Sequence, residues 1–205
     1  MNKTMTTIAA VGILLVLSAF VMMPPAVEVG KAVPEFSLKA IDGKTYSISD
    51  FKGKVVVLEW TNPHCAYVQR IYNAGIMQAV QKKYAEKVIW LTVNSTNPGH
   101  ENFEPPESLT KKYKDWNAAF KTMLLDPEGS VGKMFDAKTT PHMYIIDKEG
   151  KLVYMGAIDD DPRGNRTEKT NYVDVALTSL FEGKSIATTT TRSYGCSIKY
   201  SSGPM

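Results

Sequence analysis

Lys54–Thr61 reads KVVVLEWT and runs straight into Asn62-Pro63-His64-Cys65. A continuous apolar run rich in β-branched residues is a strand buried on both faces. Asn-Pro breaks it. From Cys65 to about Lys87 the apolar spacing turns helical, with Asn73 and Gly75 marking a bend or break. Val88–Asn94 (VIWLTVN) is a second buried strand. Strand, helix, strand in this order implies a crossover and parallel pairing.

The pattern extends outward on both sides. Upstream, Glu35–Lys39 and Lys44–Ile48 flank Ile41-Asp42-Gly43. Asp-Gly between two alternating runs is a hairpin signal. Downstream, Pro105–Trp116 is a helix with Pro and Glu in its first turn, where they are favoured. Thr122–Leu125 is a short strand and Ser130–Phe135 a short helix. His142–Asp147 and Leu152–Ala157 form a hairpin across Lys148-Glu149-Gly150. Asp159–Thr170 is a polar loop, its acidic run a solvated turn without the ligand spacing of a calcium loop. Asn171–Glu182 is an amphipathic helix stopped at Gly183. These elements predict a three-layer α/β domain: a central mixed sheet with parallel strands at its heart, flanking helices and an N-terminal β-hairpin. The domain spans residues 28–183. Residues 184–205 are a Thr/Ser-rich tail with no helical period.

Composition narrows the function classes. The chain has 205 residues, 43% hydrophobic and 22% charged, which suits one well-cored domain. A net charge of +3 without a basic block argues against a nucleic-acid binder. Two cysteines exclude a multi-disulfide scaffold and a four-cysteine zinc site. Lys3 is the sole charge before Glu28, and Ile8 to Met23 is almost wholly apolar. Residues 1–27 therefore read as a signal peptide or as an uncleaved membrane anchor. Both place the rest of the chain outside the cytoplasm, periplasmic or extracellular and, with an anchor, tethered to the membrane by residues 4–27. Disulfides persist there.

Three residues carry chemistry. Cys65 sits where a buried strand gives way to a helix, at the carboxyl edge of the sheet. A helix N-terminus stabilises a thiolate, and His64 is adjacent. The alternative is an inert core cysteine. Glu59 is out of place inside VVVLEW. Burial would make it a weak acid suited to moving protons for the neighbouring thiol, unless it faces solvent or an ion pair. Pro141, in Thr139-Thr140-Pro141 at the start of HMYIID, cannot donate within a ladder and is suited to a cis bond.

The stretch VGKAVPEFSLKAIDGKTYSISDFKGKVVVLEW resembles the opening of the redoxins. This is the thioredoxin-like branch that holds the alkyl hydroperoxide reductase/thiol-specific antioxidant proteins and membrane-tethered thiol–disulfide oxidoreductases. The resemblance runs from about Val29 to Phe181. It implies a thioredoxin-like fold with Cys65 as nucleophile, Glu59 as buried acid and Pro141 as cis-proline. Asn62, His64, Tyr67, Thr140 and His142 would then line the substrate edge. The chain departs from the family in two ways. Cys65-Ala66-Tyr67-Val68 lacks the second cysteine of C-x-x-C. The Thr or Ser that peroxiredoxins carry three residues before the cysteine is Asn62 here, and no Arg occurs between Arg70 and Arg163. NPHCAYVQRIY, TTPHMYIID and YGCSIKY together resemble an exported subgroup with a second cysteine near the carboxyl end.

The expectation is an exported, cysteine-dependent thiol–disulfide oxidoreductase, with Cys196 or an external thiol resolving the mixed disulfide formed at Cys65. Its partners would be a disulfide- or thiol-containing protein and an external thiol reductant. Two alternatives stay open: a peroxiredoxin-like thiol peroxidase acting on peroxide, and a non-catalytic binding module on the same scaffold. No cofactor is expected. His64 and His142 flank the site motifs, but the C-x-x-x-C of thioredoxin-like copper carriers is absent, so no metal is expected either.

Overall fold

The computed structural model describes residues 27–201. The apolar run assigned to a signal or anchor lies outside them. Among the described residues no helix is long and apolar enough to cross a membrane.

The strands are β1 (Ser37–Ala40), β2 (Thr45–Ser47), β3 (Val55–Trp60), β4 (Val88–Asn94), β5 (Thr122–Leu125), β6 (Thr139–Thr140), β7 (His142–Ile146), β8 (Leu152–Gly156) and β9 (Cys196–Ser197). The helices are α1 (Ala66–Asn73), α2 (Ile76–Lys83), α3 (Pro106–Asp115), α4 (Ser130–Met134) and α5 (Tyr172–Phe181). Seven strands form one sheet in the order β2-β1-β5-β4-β3-β7-β8. β3, β4 and β5 are parallel, while β7 runs antiparallel beside β3 and β8 beside β7. The expected hairpin, β1–β2, joins through β1 to the far side of β5.

Alternation along β3 sorts the core into two layers. Val55 and Val57 face a cluster closed by residues from α1, α2, α3 and α5. Val56, Leu58 and Trp60 face a second cluster that includes Val131 of α4, Phe135 and Tyr144. Every residue of β3 is buried, as expected for a strand covered on both faces. Glu59 belongs to the α1/α2 side by the same alternation.

The break expected at Asn73 and Gly75 is present: α1 and α2 are separate helices, because Gly75 adopts φ 71° between them. One detail differs from the sequence expectation: the tail is not featureless. Thr140 pairs with Cys196 and Thr139 with Ser197 in a separate antiparallel ladder, β6–β9. No periodicity announces a two-residue strand, and its partner lies more than fifty positions away.

Candidate active site

Cys65 is the residue before α1, at the carboxyl end of β3. Asn62 shapes the turn that puts it there. Its Oδ1 accepts the His64 N–H at 2.7 Å, and its carbonyl accepts the Cys65 N–H at 3.1 Å. Its Nδ2 donates to Thr96 Oγ1 at 2.7 Å, tying the turn to the end of β4. Asn-Pro is thus a turn with its own side-chain bracing.

The Cys65 thiol donates to the Thr140 carbonyl at 2.8 Å. The Thr140–Pro141 bond is cis. Cys65 is only 2% exposed, because the tail lies over it. Gly195 makes that approach feasible: at φ 137°, a Cβ there would stand 2.0 Å from the Thr140 oxygen. Cys196 follows, half-buried and beside the Cys65 thiol. Burial pushes the Cys196 thiol up, and the neighbouring Cys65 adds to the rise. The backbone N–H groups of Ala66 and Tyr67, at the start of α1, oppose it. Both cysteines are free thiols.

A cleft of about 90 Å³ opens at this point, with Asn62, His64, Cys65, Thr96, Cys196 and Lys199 among its walls. Thr140 also lines it. The His64 Nε2 lies 2.6 Å from Glu104 Oε1. Glu104 is held down at about 2, chiefly by Lys112, then by Ser108 and His64. Sequence reading gave Thr96, Lys199 and Glu104 no part in the site, because their places there are set by loops and the tail.

Two residues expected at the substrate edge do not line this cleft. His142 points to the opposite side of the sheet. It is buried, with Nδ1 3.0 Å from the Tyr144 hydroxyl. Burial pushes it down to about 4. Residues of even number on β7 face the second core cluster, so His142 cannot converge with His64. Tyr67 packs its ring against Tyr194 of the tail at 5.8 Å.

Glu59 is fully buried, so the solvent-facing alternative does not hold. Its carboxylate accepts from Trp90 Nε1 at 2.8 Å, Tyr72 hydroxyl at 2.9 Å and Gln81 Nε2 at 3.2 Å. Burial raises it to about 7, against the pull of these donors. Thr61 Oγ1 and the Tyr113 hydroxyl lie 2.6 Å apart. The Tyr113 phenol is pushed well above its ordinary value, first by burial and then by the charges of Glu59 and Cys65. Tyr113 thus stands in the field of both groups.

The chain is similar to known proteins over this same framework. The AhpC/TSA family profile matches residues 29–155. The thioredoxin-like protein YneN of Bacillus subtilis (strain 168) is 29% identical over 126 residues, which are 62% of this chain and 69% of YneN. The thiol-disulfide oxidoreductase ResA of Bacillus thuringiensis subsp. konkukian (strain 97-27) is 28% identical over 129 residues, 62% of this chain and 68% of ResA. A crystal structure of an uncharacterized conserved protein from Geobacillus kaustophilus superposes with a TM-score of 0.78 at 28% identity. That match covers 86% of this chain and 94% of the other. The redoxin resemblance in the sequence, the thioredoxin-like sheet and the profile match agree: the chain belongs to the AhpC/TSA family.

Proposed function

We propose that the protein is an exported thiol–disulfide oxidoreductase in which Cys65 is the nucleophile and Cys196 the resolving cysteine. The broader assignment, a thiol-dependent oxidoreductase, rests on the family and on relatives named thiol-disulfide oxidoreductases. One observation carries the finer reading: the tail seats Cys196 beside Cys65, at the start of α1. Val68, buried in the core, occupies the position of the second cysteine of C-x-x-C. A resolving thiol therefore has to come from elsewhere in the chain or from solution.

The cycle balances without a cofactor. The Cys65 thiolate attacks a partner disulfide, forming a mixed disulfide and releasing one partner thiolate. Cys196, as thiolate, attacks the Cys65 sulfur. The Cys65–Cys196 disulfide forms and the second partner thiolate leaves. An external dithiol then reduces the pair. Glu59, raised to about 7, is suited to accept a proton near neutral pH. Thr140 holds the Cys65 thiol by its carbonyl, and Asn62 and His64 form the wall of the cleft. The apolar run before Glu28, as a cleaved signal or an anchor, is what supports export.

The experiment is single turnover with a disulfide-bonded protein, followed by peptide mapping. A Cys65–Cys196 disulfide is expected. Two free thiols after mild oxidation would overturn the resolving role of Cys196.

The size of the cleft favours a second reading. With the tail docked, about 90 Å³ has room for about three waters. A peroxide fits within that volume, whereas a protein disulfide would reach Cys65 when the tail lifts. The Cys65 thiolate would take one oxygen to become a sulfenic acid and release hydroxide. Condensation with the Cys196 thiol would give the same disulfide and water. Comparing single-turnover rates with hydrogen peroxide and with a disulfide-bonded protein separates the two.

A further inference from the structure

Asp159-Asp160-Asp161 and the tail residue Tyr194 have no part in the cycle above. The expected solvated turn is not what the fold makes of the aspartates: Asp159 and Asp161 are each 1% exposed. Asp161 braces its own loop, accepting the backbone N–H groups of Asn165 at 3.0 Å and Arg166 at 3.3 Å. Asp159 is used differently. Its Oδ1 accepts the Asp161 N–H at 3.0 Å and the Tyr194 hydroxyl. Its Oδ2 is buried with no hydrogen-bond partner among the described residues. Arg70, on α1, reaches the same place. Its Nη2 donates to the Asp161 carbonyl at 3.0 Å, and its charge acts on the Tyr194 hydroxyl.

Tyr194 stands two residues before Cys196. Two residues span at most ~7 Å, so fixing one fixes the other closely. Between them Gly195 lies against the Thr140 carbonyl, leaving no slack. The Tyr194 ring also rests on Tyr67, in the first turn of α1. Other bonds hold the tail: Thr191 N to Met155 O at 3.1 Å, Ile198 N to Lys138 O at 3.1 Å, and the Tyr200 hydroxyl to Ala137 O at 2.7 Å. Those acceptors are neutral carbonyls. Tyr194 donates to a buried carboxylate, and bonds to ionised acceptors are roughly twice as strong as neutral ones. The β6–β9 ladder has two residue pairs, too few to hold an extended segment by itself.

We propose that Tyr194, clasped by Asp159, is the positioning residue that seats Cys196 against Cys65. The clasp rests on the reading of Cys196 as the resolving cysteine, but part of its test does not. Cys65 is covered by the tail, so its alkylation rate in a Cys196→Ser background reports how often the tail lifts. Tyr194→Phe keeps the ring on Tyr67 and removes the hydroxyl. Alkylation should then accelerate about tenfold, the weight of one hydrogen bond to a charged acceptor. Tyr84→Phe removes a hydroxyl that bonds Asp174 and Thr178. It is the control for general loosening and should leave the rate unchanged. In the two-cysteine protein, Tyr194→Phe should lower the equilibrium constant for closing Cys65–Cys196 in glutathione buffer. The limit is about tenfold, or about 30 mV. An unchanged Cys65 alkylation rate in Tyr194→Phe, with the fold intact by circular dichroism, overturns the clasp. If the wild-type pair fails to close in glutathione while alkylation still responds, the resolving role of Cys196 falls and the clasp remains as a tail anchor.

Discussion

Thr140 meets both cysteines: its carbonyl accepts the Cys65 thiol at 2.8 Å, and its backbone pairs with Cys196 across the β6–β9 ladder. Pro141 follows and has no N–H to extend that ladder. A single peptide group therefore sets the place of the nucleophile and the register of the tail that would resolve it.

Removing one cysteine at a time separates the two roles. Cys65→Ser should abolish exchange and leave the fold unchanged, since oxygen for sulfur is a small change at one buried atom. Cys196→Ser should still attack, but the mixed disulfide at Cys65 should accumulate. Turnover should fall about a hundredfold or more, because an intramolecular step becomes bimolecular. Mass spectrometry of the trapped adduct is the measurement. An adduct that clears as fast as in wild type would show that Cys196 takes no part.

Glu59 titrates far from its ordinary range, from 4.5 to about 7, because it is buried. The folded state then holds a proton that the unfolded state has released. Stability attached to this group is present below about pH 4.5 and is lost as pH rises through about 7. The loss is roughly 3 kcal/mol at most. Glu59→Gln should flatten that part of the stability curve and leave the protein as stable as wild type, or more so, at pH 8. It should also slow exchange and shift its pH profile. Denaturant unfolding at pH 5 and pH 8, with parallel exchange rates, tests both. An unchanged rate profile would make Glu59 purely structural.

His142 acts with the opposite sign. Burial lowers it from 6.5 to about 4, so the unfolded chain takes up a proton first as pH falls. Its contribution is present above about pH 6.5 and is lost through about pH 4, again roughly 3 kcal/mol at most. His142→Gln should reduce the acid loss of stability between these limits. Exchange at neutral pH should not respond, because His142 faces Tyr144 and not the cleft. A large fall in exchange rate would place His142 back at the site.

Gly195→Ala tests the docking surface directly. The backbone at φ 137° is unfavourable for a side chain, and the Thr140 oxygen would be 2.0 Å from the new Cβ. The tail has to lift at that point. The expected result is faster alkylation of Cys65 and a weaker Cys65–Cys196 disulfide. Global stability should change by less than about 2 kcal/mol, because the seven-stranded sheet is untouched. Alkylation as slow as in wild type would mean that the ladder tolerates the clash and that the tail does not shield Cys65 through it.

Much of the site was legible in one stretch of chain. Pattern and turn chemistry in KVVVLEWTNPHC placed a buried strand, a break and a cysteine before a helix, because strand burial and turn geometry are local properties. An acid inside that strand marked Glu59 for the same reason. Pro141 was visible because proline restricts its own backbone wherever it stands. The side of the sheet taken by His142 depends on register within β7, and one residue of shift would have reversed it. The bonding of Asp159 to Tyr194 joins residues thirty-five positions apart. Whether Cys196 reaches Cys65 was a matter of chain length in the sequence, where nothing forbade it. Only the tertiary structure decides it, because the tail's place is set by backbone groups on β6, a buried carboxylate at 159 and the absence of a side chain at 195. Each contributes little by itself, and they act together only once the domain has brought them to one edge.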